Sequence, residues 1–190
     1  MTTFIREYSP SSLDHYQFHE KIIPSLQTFI YDPSIQKRIL LCGDSSSGKS
    51  TILNCITNDI SDTYEIFDLY TICDDNIEEF RQKLIHFCKM ISAKEKLIIM
   101  DNMDELKSIF QDIISYVLDT YSVHIIATCL QVIKVVDTVQ SRLHIIHIPT
   151  FPHRSLLQLI GNICKEKNIQ FEDKDTCHTL IMQLSNYSIR

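Results

Sequence analysis

Glycine is scarce in this chain: it has 190 residues and three glycines. Ordinary usage of about 7% would give roughly thirteen. Two of the three, Gly43 and Gly48, lie in one short segment. Because glycine reaches backbone conformations that other residues avoid, we expect a sharp turn or a close approach to a ligand there.

Other absences exclude whole classes of protein. None of the seven cysteines forms a C-x-x-C pair, which argues against a zinc knuckle or a secreted disulfide framework and favours a reducing compartment. The start of the chain has no basic segment followed by an apolar one, and no apolar run approaches the ~20 residues of a membrane span. We therefore expect a soluble, intracellular protein of the nucleus or cytoplasm, with no membrane partner.

Composition favours a folded domain with no broad DNA-binding face. Apolar residues make up 44% of the chain and charged residues 22%, which is typical of globular proteins. The formal net charge of -6 argues against a single basic surface that grips DNA, although it allows weaker contacts.

Short apolar runs alternate with amphipathic helical patterns along most of the chain. Strands are predicted at residues 38–42, 64–69, 97–101, 123–128 and 143–148. Helices are predicted at residues 49–58, 75–90, 106–118, 153–167 and 173–184. This alternation predicts a three-layer α/β domain with a parallel sheet. Because only helical patterns follow Thr150, we expect the α/β domain to occupy residues 1–150 and part of a small all-α lid to occupy 151–190.

One segment matches the Walker A pattern G-x-x-x-x-G-K-[ST], which begins at Gly43 and ends at Ser50. A flexible serine-rich turn is the alternative, but an apolar strand precedes the segment and a helical pattern follows it. In such loops backbone N–H groups surround a phosphate, the lysine adds a charge, and the final hydroxyl can bind Mg²⁺. The predicted nucleotide-binding residues are Gly43, Asp44, Ser45, Ser46, Ser47, Gly48, Lys49, Ser50 and Thr51.

A second acidic motif follows a later strand. Residues 97–100 are apolar and Asp101 comes directly after them, as in the strand whose aspartate holds Mg²⁺ in P-loop proteins. We predict that Asp101 and Ser50 form the metal site, and that the cofactors are ATP and Mg²⁺. The alternative is an aspartate that caps the next helix, and Asp104 fits that role better.

With both motifs in place, the chain resembles the small subunits of sliding-clamp loaders, the replication factor C type of AAA+ ATPase. The segment with Tyr8 and Pro10 resembles the family's Tyr-x-Pro box, which lies against the adenine. Residues 13–20, which lead into an apolar stretch at 22–30, resemble the helix that closes the base pocket. The resemblance implies a P-loop NTPase fold of the AAA+ type, although the family's C-terminal collar domain has no counterpart among these residues.

Two arginines acquire roles from the same resemblance. Gln140-Ser141-Arg142 resembles the family's Ser-Arg-Cys box, with Leu143 at the cysteine position. In that family this arginine acts in trans on the nucleotide of a neighbouring subunit. Arg190 ends a segment that resembles the lid sequence with the sensor-2 arginine, which contacts bound nucleotide.

Two departures from the family pattern predict weak hydrolysis. Asn102 stands where many such ATPases have the glutamate that polarises the attacking water, and an amide cannot accept a proton. Leu130 aligns with the sensor-1 asparagine, which leaves Thr128 as the nearby polar candidate. The resemblance therefore assigns catalytic positions to Asp101, Asn102, Thr128 and, in trans, Arg142, in an ATPase whose hydrolysis is expected to be weak.

The function implied is that of an ATP-binding subunit that couples binding and hydrolysis to loading of a sliding clamp in DNA replication. Its partners would be other ring subunits, the clamp and primer–template DNA. One alternative is a nucleotide-binding structural subunit that does not hydrolyse ATP. Another is an AAA+ protein of the origin-recognition or helicase-loader type. Four basic residues follow the second strand, where clamp loaders contact DNA phosphates, and the alternative is a helix face that is only solvated: Arg81, Lys83, Lys89 and Lys94.

Overall fold

A computed structural model gives the fold of most of the chain. It describes residues 8–16, 18–19, 21–69, 76–151 and 153–167. Within these ranges no helix combines the length and apolarity needed to cross a bilayer. The predicted helix at 173–184 and Arg190 lie outside the described residues, so the lid and the domain boundary near residue 150 remain predictions.

The described residues contain one parallel sheet of five strands. Its spatial order is β2-β3-β4-β1-β5, so β4 lies between β3 and β1. Parallel neighbours need crossover connections, and the intervening segments supply helices for them. The strands are β1 (Arg38–Cys42), β2 (Tyr64–Asp68), β3 (Glu95–Met100), β4 (His124–Cys129) and β5 (His144–His147).

Six α-helices accompany the sheet in the described part of the chain. Short 3-10 turns lie at Leu13–His15, Met103–Glu105 and Val132–Lys134. The helices are α1 (Ile23–Tyr31), α2 (Lys49–Ile60), α3 (Ile77–Lys89), α4 (Ser108–Thr120), α5 (Asp137–Gln140) and α6 (His153–Glu166).

Alternate residues of the strands face two separate cores, as the period of two in a strand requires. In β1, Ile39 and Leu41 pack with buried residues of α1 and α2, whereas Leu40 packs with buried residues of α3 and α4 on the other side. The strand is therefore apolar throughout, as expected for a sheet covered on both faces. This arrangement confirms the predicted three-layer α/β fold.

A buried glutamine on α4 joins the segments that follow β3 and β4. The Gln111 side-chain NH₂ donates to the carbonyl oxygens of Leu106 at 2.8 Å and of Met103 and Lys134 at 3.3 Å each. Its carbonyl oxygen accepts from the Val136 N–H at 2.8 Å. Since every polar atom of this buried amide is paired, the two segments are held in one fixed relation.

The observed elements differ from the predicted ones mainly at their ends. The strand predicted to end at Asp101 ends at Met100, so the aspartate is the first residue beyond the sheet. The helix predicted at 106–118 lies at Ser108–Thr120, because a 3-10 turn and a bend at Leu106 come first. Boundaries of this kind depend on local hydrogen bonds that periodicity does not reveal.

The alternative role of Asp104 as a helix cap is wrong. Its carboxylate accepts hydrogen bonds from the backbone N–H groups of Leu130 and Gln131, each at 3.1 Å. The residue that precedes α4 is Lys107, and no side chain caps that helix. Asp104 therefore connects the turn after β3 to the turn after β4.

Candidate functional site: a phosphate loop beside a carboxylate

The loop between β1 and α2 has the backbone that its glycines predicted. Gly48 has a φ of 94° and Ser46 a φ of 63°, both in the left-handed region. For serine this conformation costs roughly 1–2 kcal/mol. Such strain is concentrated at functional sites, which favours a binding role for the loop.

Lys49 begins α2 and folds back over the loop. Its ammonium donates hydrogen bonds to the carbonyl oxygens of Gly43 at 2.8 Å and Asp44 at 2.7 Å. Burial lowers the pKa of Lys49, and the negative charge of Asp101 opposes that shift. A cation that is buried and bonded only to neutral carbonyls is suited to exchange them for the oxygens of an anion.

The other loop residues differ in exposure. Asp44 and Ser45 are exposed, while Thr51 in the first turn of α2 is half-buried. Ser47 is buried, and its hydroxyl has no hydrogen-bond partner among the described residues. Because buried hydroxyls are normally paired, this orphaned group is compatible with a ligand that the loop receives.

Both loop glycines are required by close contacts. A Cβ on Gly43 would lie 2.2 Å from the carbonyl oxygen of Ile148. A Cβ on Gly48 would lie 2.3 Å from the Tyr16 hydroxyl and 2.9 Å from the ring of Phe151. The loop is therefore packed tightly between the end of β5 and an aromatic group.

Ser50, Asp101 and Thr128 meet beside the loop. The Ser50 hydroxyl donates to Asp101 Oδ1 at 3.1 Å, and the Thr128 hydroxyl donates to the same oxygen. The backbone N–H of Asn102 donates to Thr128 Oγ1 at 2.9 Å. A hydroxyl and a carboxylate are the hard oxygen ligands that Mg²⁺ prefers, so these residues fit that cation.

Asn102 adopts a left-handed backbone with a φ of 55°. Asparagine tolerates this conformation better than most residues, whereas a glutamate would be strained there. The structure therefore supplies a backbone reason for asparagine at the position where the family pattern has glutamate.

An aromatic cluster lies against the loop: three of its members belong to residues 13–20, which the family resemblance placed at the base pocket, and the fourth is Phe151. The His19 Nε2–H donates to the Ser47 carbonyl at 3.1 Å, and burial lowers the pKa of His19. The ring of His19 stacks between Tyr16 and Phe151, with centroids 6.0 and 5.0 Å away. Phe18 meets Phe151 edge to face. Phe151 lies more than a hundred residues from the others along the chain, so pattern reading had no signal for it.

Tyr8 and Pro10 lie outside that cluster, near α2 and the end of α6. The Pro10 carbonyl accepts from the Cys55 thiol at 3.2 Å, and the Lys167 ammonium lies 5.7 Å from the centre of the Tyr8 ring. Their proposed contact with adenine remains a prediction. Arg190, the other residue expected to contact nucleotide, is outside the described residues.

Arg142 pairs with an acidic side chain of its own chain. Its Nε and an Nη donate to the two carboxylate oxygens of Asp119, each at 2.6 Å. Bidentate pairing raises the pKa of Arg142 and lowers that of Asp119. Asp119 of α4 thus fixes the orientation of the Arg142 side chain. The action of Arg142 on a neighbouring subunit remains a prediction.

Comparison with known proteins now identifies the family. Residues 39–153, more than half of the chain, match the ATPase family associated with various cellular activities, or AAA. The chain belongs to the AAA family of ATPases. Members of such a family bind a nucleotide, in general with Mg²⁺, which agrees with the loop and the carboxylate beside it.

Among curated relatives of this AAA protein are subunits named replication factor C. The small subunit of Methanothermobacter thermautotrophicus is 22% identical over 176 residues, covering 89% of this chain and 54% of that protein. Subunit 4 of Schizosaccharomyces pombe is 23% identical over 188 residues, covering 94% of this chain and 54% of that protein. The chain thus spans about half the length of these relatives.

Solved structures similar to this one include RuvB proteins of Thermotoga maritima. One RuvB variant matches with a TM-score of 0.71 at 13% identity, covering 99% of this chain and 62% of that chain. The RuvB Holliday junction branch migration motor matches with a TM-score of 0.64 at 12% identity, covering 86% and 56%. At these identities the likeness confirms the fold and nothing finer.

Replacing Gly48 by alanine tests the packing of the loop. We expect Gly48→Ala to lower stability by about 1–2 kcal/mol from the left-handed backbone alone, with a further loss from the clash with Tyr16. That loss corresponds to a fall in Tm of several degrees for a chain of this size, roughly 2–4 °C per kcal/mol. Thermal unfolding followed by circular dichroism measures it.

Gly161→Ala is the matched control, because a Cβ at that helical position meets nothing within 4 Å. Alanine is favoured over glycine within a helix by about 1 kcal/mol, so this variant should unfold at an equal or higher temperature. Equal Tm values for the two variants would contradict the close packing at Gly48.

Proposed function

We propose that this AAA protein binds ATP with Mg²⁺ at the Gly43–Ser50 loop and acts as a subunit of a clamp loader. The observation that carries the first half is the placement of Lys49, Ser50 and Asp101 around one loop. Lys49 supplies a cation whose present partners are neutral, and Ser50 and Asp101 supply hard oxygen ligands 3.1 Å apart. A triphosphate with its cation needs both.

The residues divide between the parts of the nucleotide. Loop amides and the N-terminus of α2 would hold the phosphates, since both present positive partial charge to an anion. Ser50 and Asp101 would hold Mg²⁺, which neutralises charge on the phosphate oxygens. Tyr8 and Pro10 would lie on the adenine side, by analogy with the Tyr-x-Pro box.

Lys49 provides the most direct test of nucleotide binding. We expect MgATP to raise the Tm of the full chain, since a ligand at 100 times its Kd stabilises by about 2.7 kcal/mol. Lys49→Ala should remove most of that rise, because the ammonium that bonds to the loop is lost. A fluorescent ATP analogue, titrated into each variant, gives the affinity independently of stability.

Lys94→Ala is the control, because Lys94 is exposed and bonds to the carbonyl of Ser61 on another part of the surface. It should retain the wild-type response to MgATP. If MgATP leaves the Tm of the wild-type chain unchanged and the analogue does not bind, the proposed nucleotide site is wrong.

Slow hydrolysis is the second part of the proposal. The side chain at position 102 is an amide, which orients water but accepts no proton, and a positioned general base typically contributes 10²–10⁴-fold. Leu130, at the sensor-1 position, is apolar. These features favour an ATPase that hydrolyses its bound ATP much more slowly than an ordinary member of the family does.

Substitution at position 102 tests this account. With radiolabelled ATP we expect tight retention and slow phosphate release in the wild-type chain. Asn102→Glu should raise the rate of phosphate release by at least about 10-fold. The full effect of a general base is larger, but the left-handed backbone at position 102 strains a glutamate and reduces it. The Asn102→Gln side chain has the length of glutamate but cannot act as a base, so phosphate release in this variant should remain slow.

Three results of that experiment are informative. Fast release by the wild-type chain contradicts slow hydrolysis. An equal increase in Asn102→Gln contradicts the role of the base. If ATP binds but neither the wild-type chain nor Asn102→Glu releases phosphate, the result favours the second candidate function, a nucleotide-binding structural subunit. The observation that supports this candidate is the lack of a carboxylate at position 102.

The clamp-loader assignment rests on the replication factor C relatives and on Arg142. In a ring of similar subunits an arginine at this position reaches the nucleotide of the neighbour, so that ATP binding tightens the interface between subunits. Asp119 holds Arg142 by two hydrogen bonds on the surface of the free chain. The proposed partners are other ring subunits, a sliding clamp and primer–template DNA.

The basic residues expected near DNA give that contact little support. Lys83 pairs with Glu79 at 2.6 Å on α3, and Lys94 bonds to the Ser61 carbonyl. The helix thus carries two glutamates in its first turn as well as its basic residues, and a mixed surface attracts phosphates weakly. Any DNA contact of the proposed assembly would therefore depend mainly on other surfaces.

Purification of the tagged protein from its source cells tests the clamp-loader assignment. We expect related AAA subunits and a ring-shaped clamp to be recovered in amounts comparable to the tagged chain, identified by mass spectrometry. Recovery should fall in Lys49→Ala, because the ring needs bound ATP, and should persist in Lys94→Ala. Recovery of neither kind of partner with the wild-type chain contradicts the assignment.

A further inference from the structure

Thr128 is a hydroxyl residue within the buried core of the sheet. It lies in β4 between apolar neighbours and its exposed fraction is 0%. A buried hydroxyl without partners would be destabilising, so its hydrogen bonds determine what it does. It donates to Asp101 Oδ1 and accepts from the backbone N–H of Asn102.

Strand register fixes this contact. Met100 in β3 is paired with Ala127 in β4, so Asp101, one residue farther along, stands across from Thr128. On its other side Thr128 is paired with Leu41 of β1, two residues before the phosphate loop begins. The hydroxyl is thus held by three parallel strands and not by a loop, and it moves only if the sheet moves.

The hydroxyl has no capacity to donate to a water molecule. A threonine has one O–H, and that of Thr128 is directed at Asp101. Its oxygen is already an acceptor for Asn102, 2.9 Å away. These bonds leave no O–H for a water molecule and only one lone pair of the oxygen, which favours a structural role for Thr128 over the water-positioning role that the sequence suggested.

We propose that Thr128 is a positioning residue for the cation site: it fixes the carboxylate of Asp101 and the backbone of Asn102, so that Asp101 and Ser50 face Mg²⁺ together. This inference rests on the proposed nucleotide site and deepens it. Residues that hydrogen-bond metal ligands typically contribute 10–100-fold to metal affinity.

The left-handed backbone of Asn102 also favours a positioning role for Thr128. Its backbone conformation is unfavourable by roughly 1 kcal/mol or more for most residues, and its N–H bond to Thr128 helps to offset that. Without the hydroxyl, both the carboxylate and the turn that follows it lose a buried partner. The carboxylate then has more freedom to rotate away from Ser50.

Substitution of Thr128 in the full chain separates the binding of Mg²⁺ from the binding of ATP without the cation. Thr128→Val keeps the shape and removes the hydroxyl, and Thr128→Ser keeps the hydroxyl. We expect Thr128→Val to raise the Mg²⁺ concentration for half-maximal ATP binding by about 10–100-fold. Its ATP affinity in EDTA should be unchanged, and Thr128→Ser should resemble the wild-type chain. Binding of a fluorescent ATP analogue is the readout, so no turnover is needed.

Two further variants guard against a merely structural effect. Thr57→Val is the matched control, because the Thr57 hydroxyl bonds to the Leu53 carbonyl within α2 and not to the cation site. It should leave the Mg²⁺ requirement unchanged. Asp101→Asn should raise that requirement, and adding Thr128→Val to it should produce little further change, because Thr128 acts through Asp101.

The outcomes distinguish the inference from the function on which it rests. A wild-type chain that binds no ATP overturns the proposed function. A wild-type chain that binds ATP with Mg²⁺, together with an unchanged Mg²⁺ requirement in Thr128→Val, overturns the inference alone. If Thr128→Val does not fold, Thr128→Ala replaces it, and the same requirement as wild type in that variant overturns the inference equally.

Discussion

The parallel register of β1, β4 and β3 is the constraint on which the site depends. Because all three strands run in one direction, the residues at their carboxyl ends meet at one edge of the sheet. The phosphate loop leaves β1 at Gly43, Asp101 follows β3, and Thr128 lies near the end of β4 between them. A shift of one residue in either pairing would turn Thr128 to the opposite face and leave Asp101 without it.

The sequence predicted the parts of the site that a local pattern determines. The apolar strand, the glycines and the helix around Lys49 together specify a phosphate loop, and the structure has that backbone. Asp101 was predicted because four apolar residues precede it. These predictions succeeded because each depends on residues that are neighbours along the chain, where spacing alone fixes geometry.

The remaining features depend on residues that are distant along the chain. Phe151 and Tyr16 reach Gly48 only through the tertiary fold, and no periodicity links them. The start of α4 was misplaced because Gln111 holds the preceding turn by bonds to Leu106 and to the segment after β4. Thr128 was noticed as the polar residue near sensor 1, but its partner could be assigned only when the register of β3 and β4 was known.

Hydrogen bonds extend from the cation site toward Arg142. Asp104 ties the turn that follows Asn102 to the backbone after β4, and Gln111 joins the same two segments from α4. Gln140 then bonds to two carbonyls of the segment after β4, at 2.6 and 3.0 Å, two residues before Arg142. These bonds form a continuous set of contacts between the turn after β3 and the segment that precedes Arg142. In a ring, such a connection would link the state of one nucleotide to the arginine that faces the next, and physical coupling of this kind requires that the segment have two arrangements which the two sites bias differently.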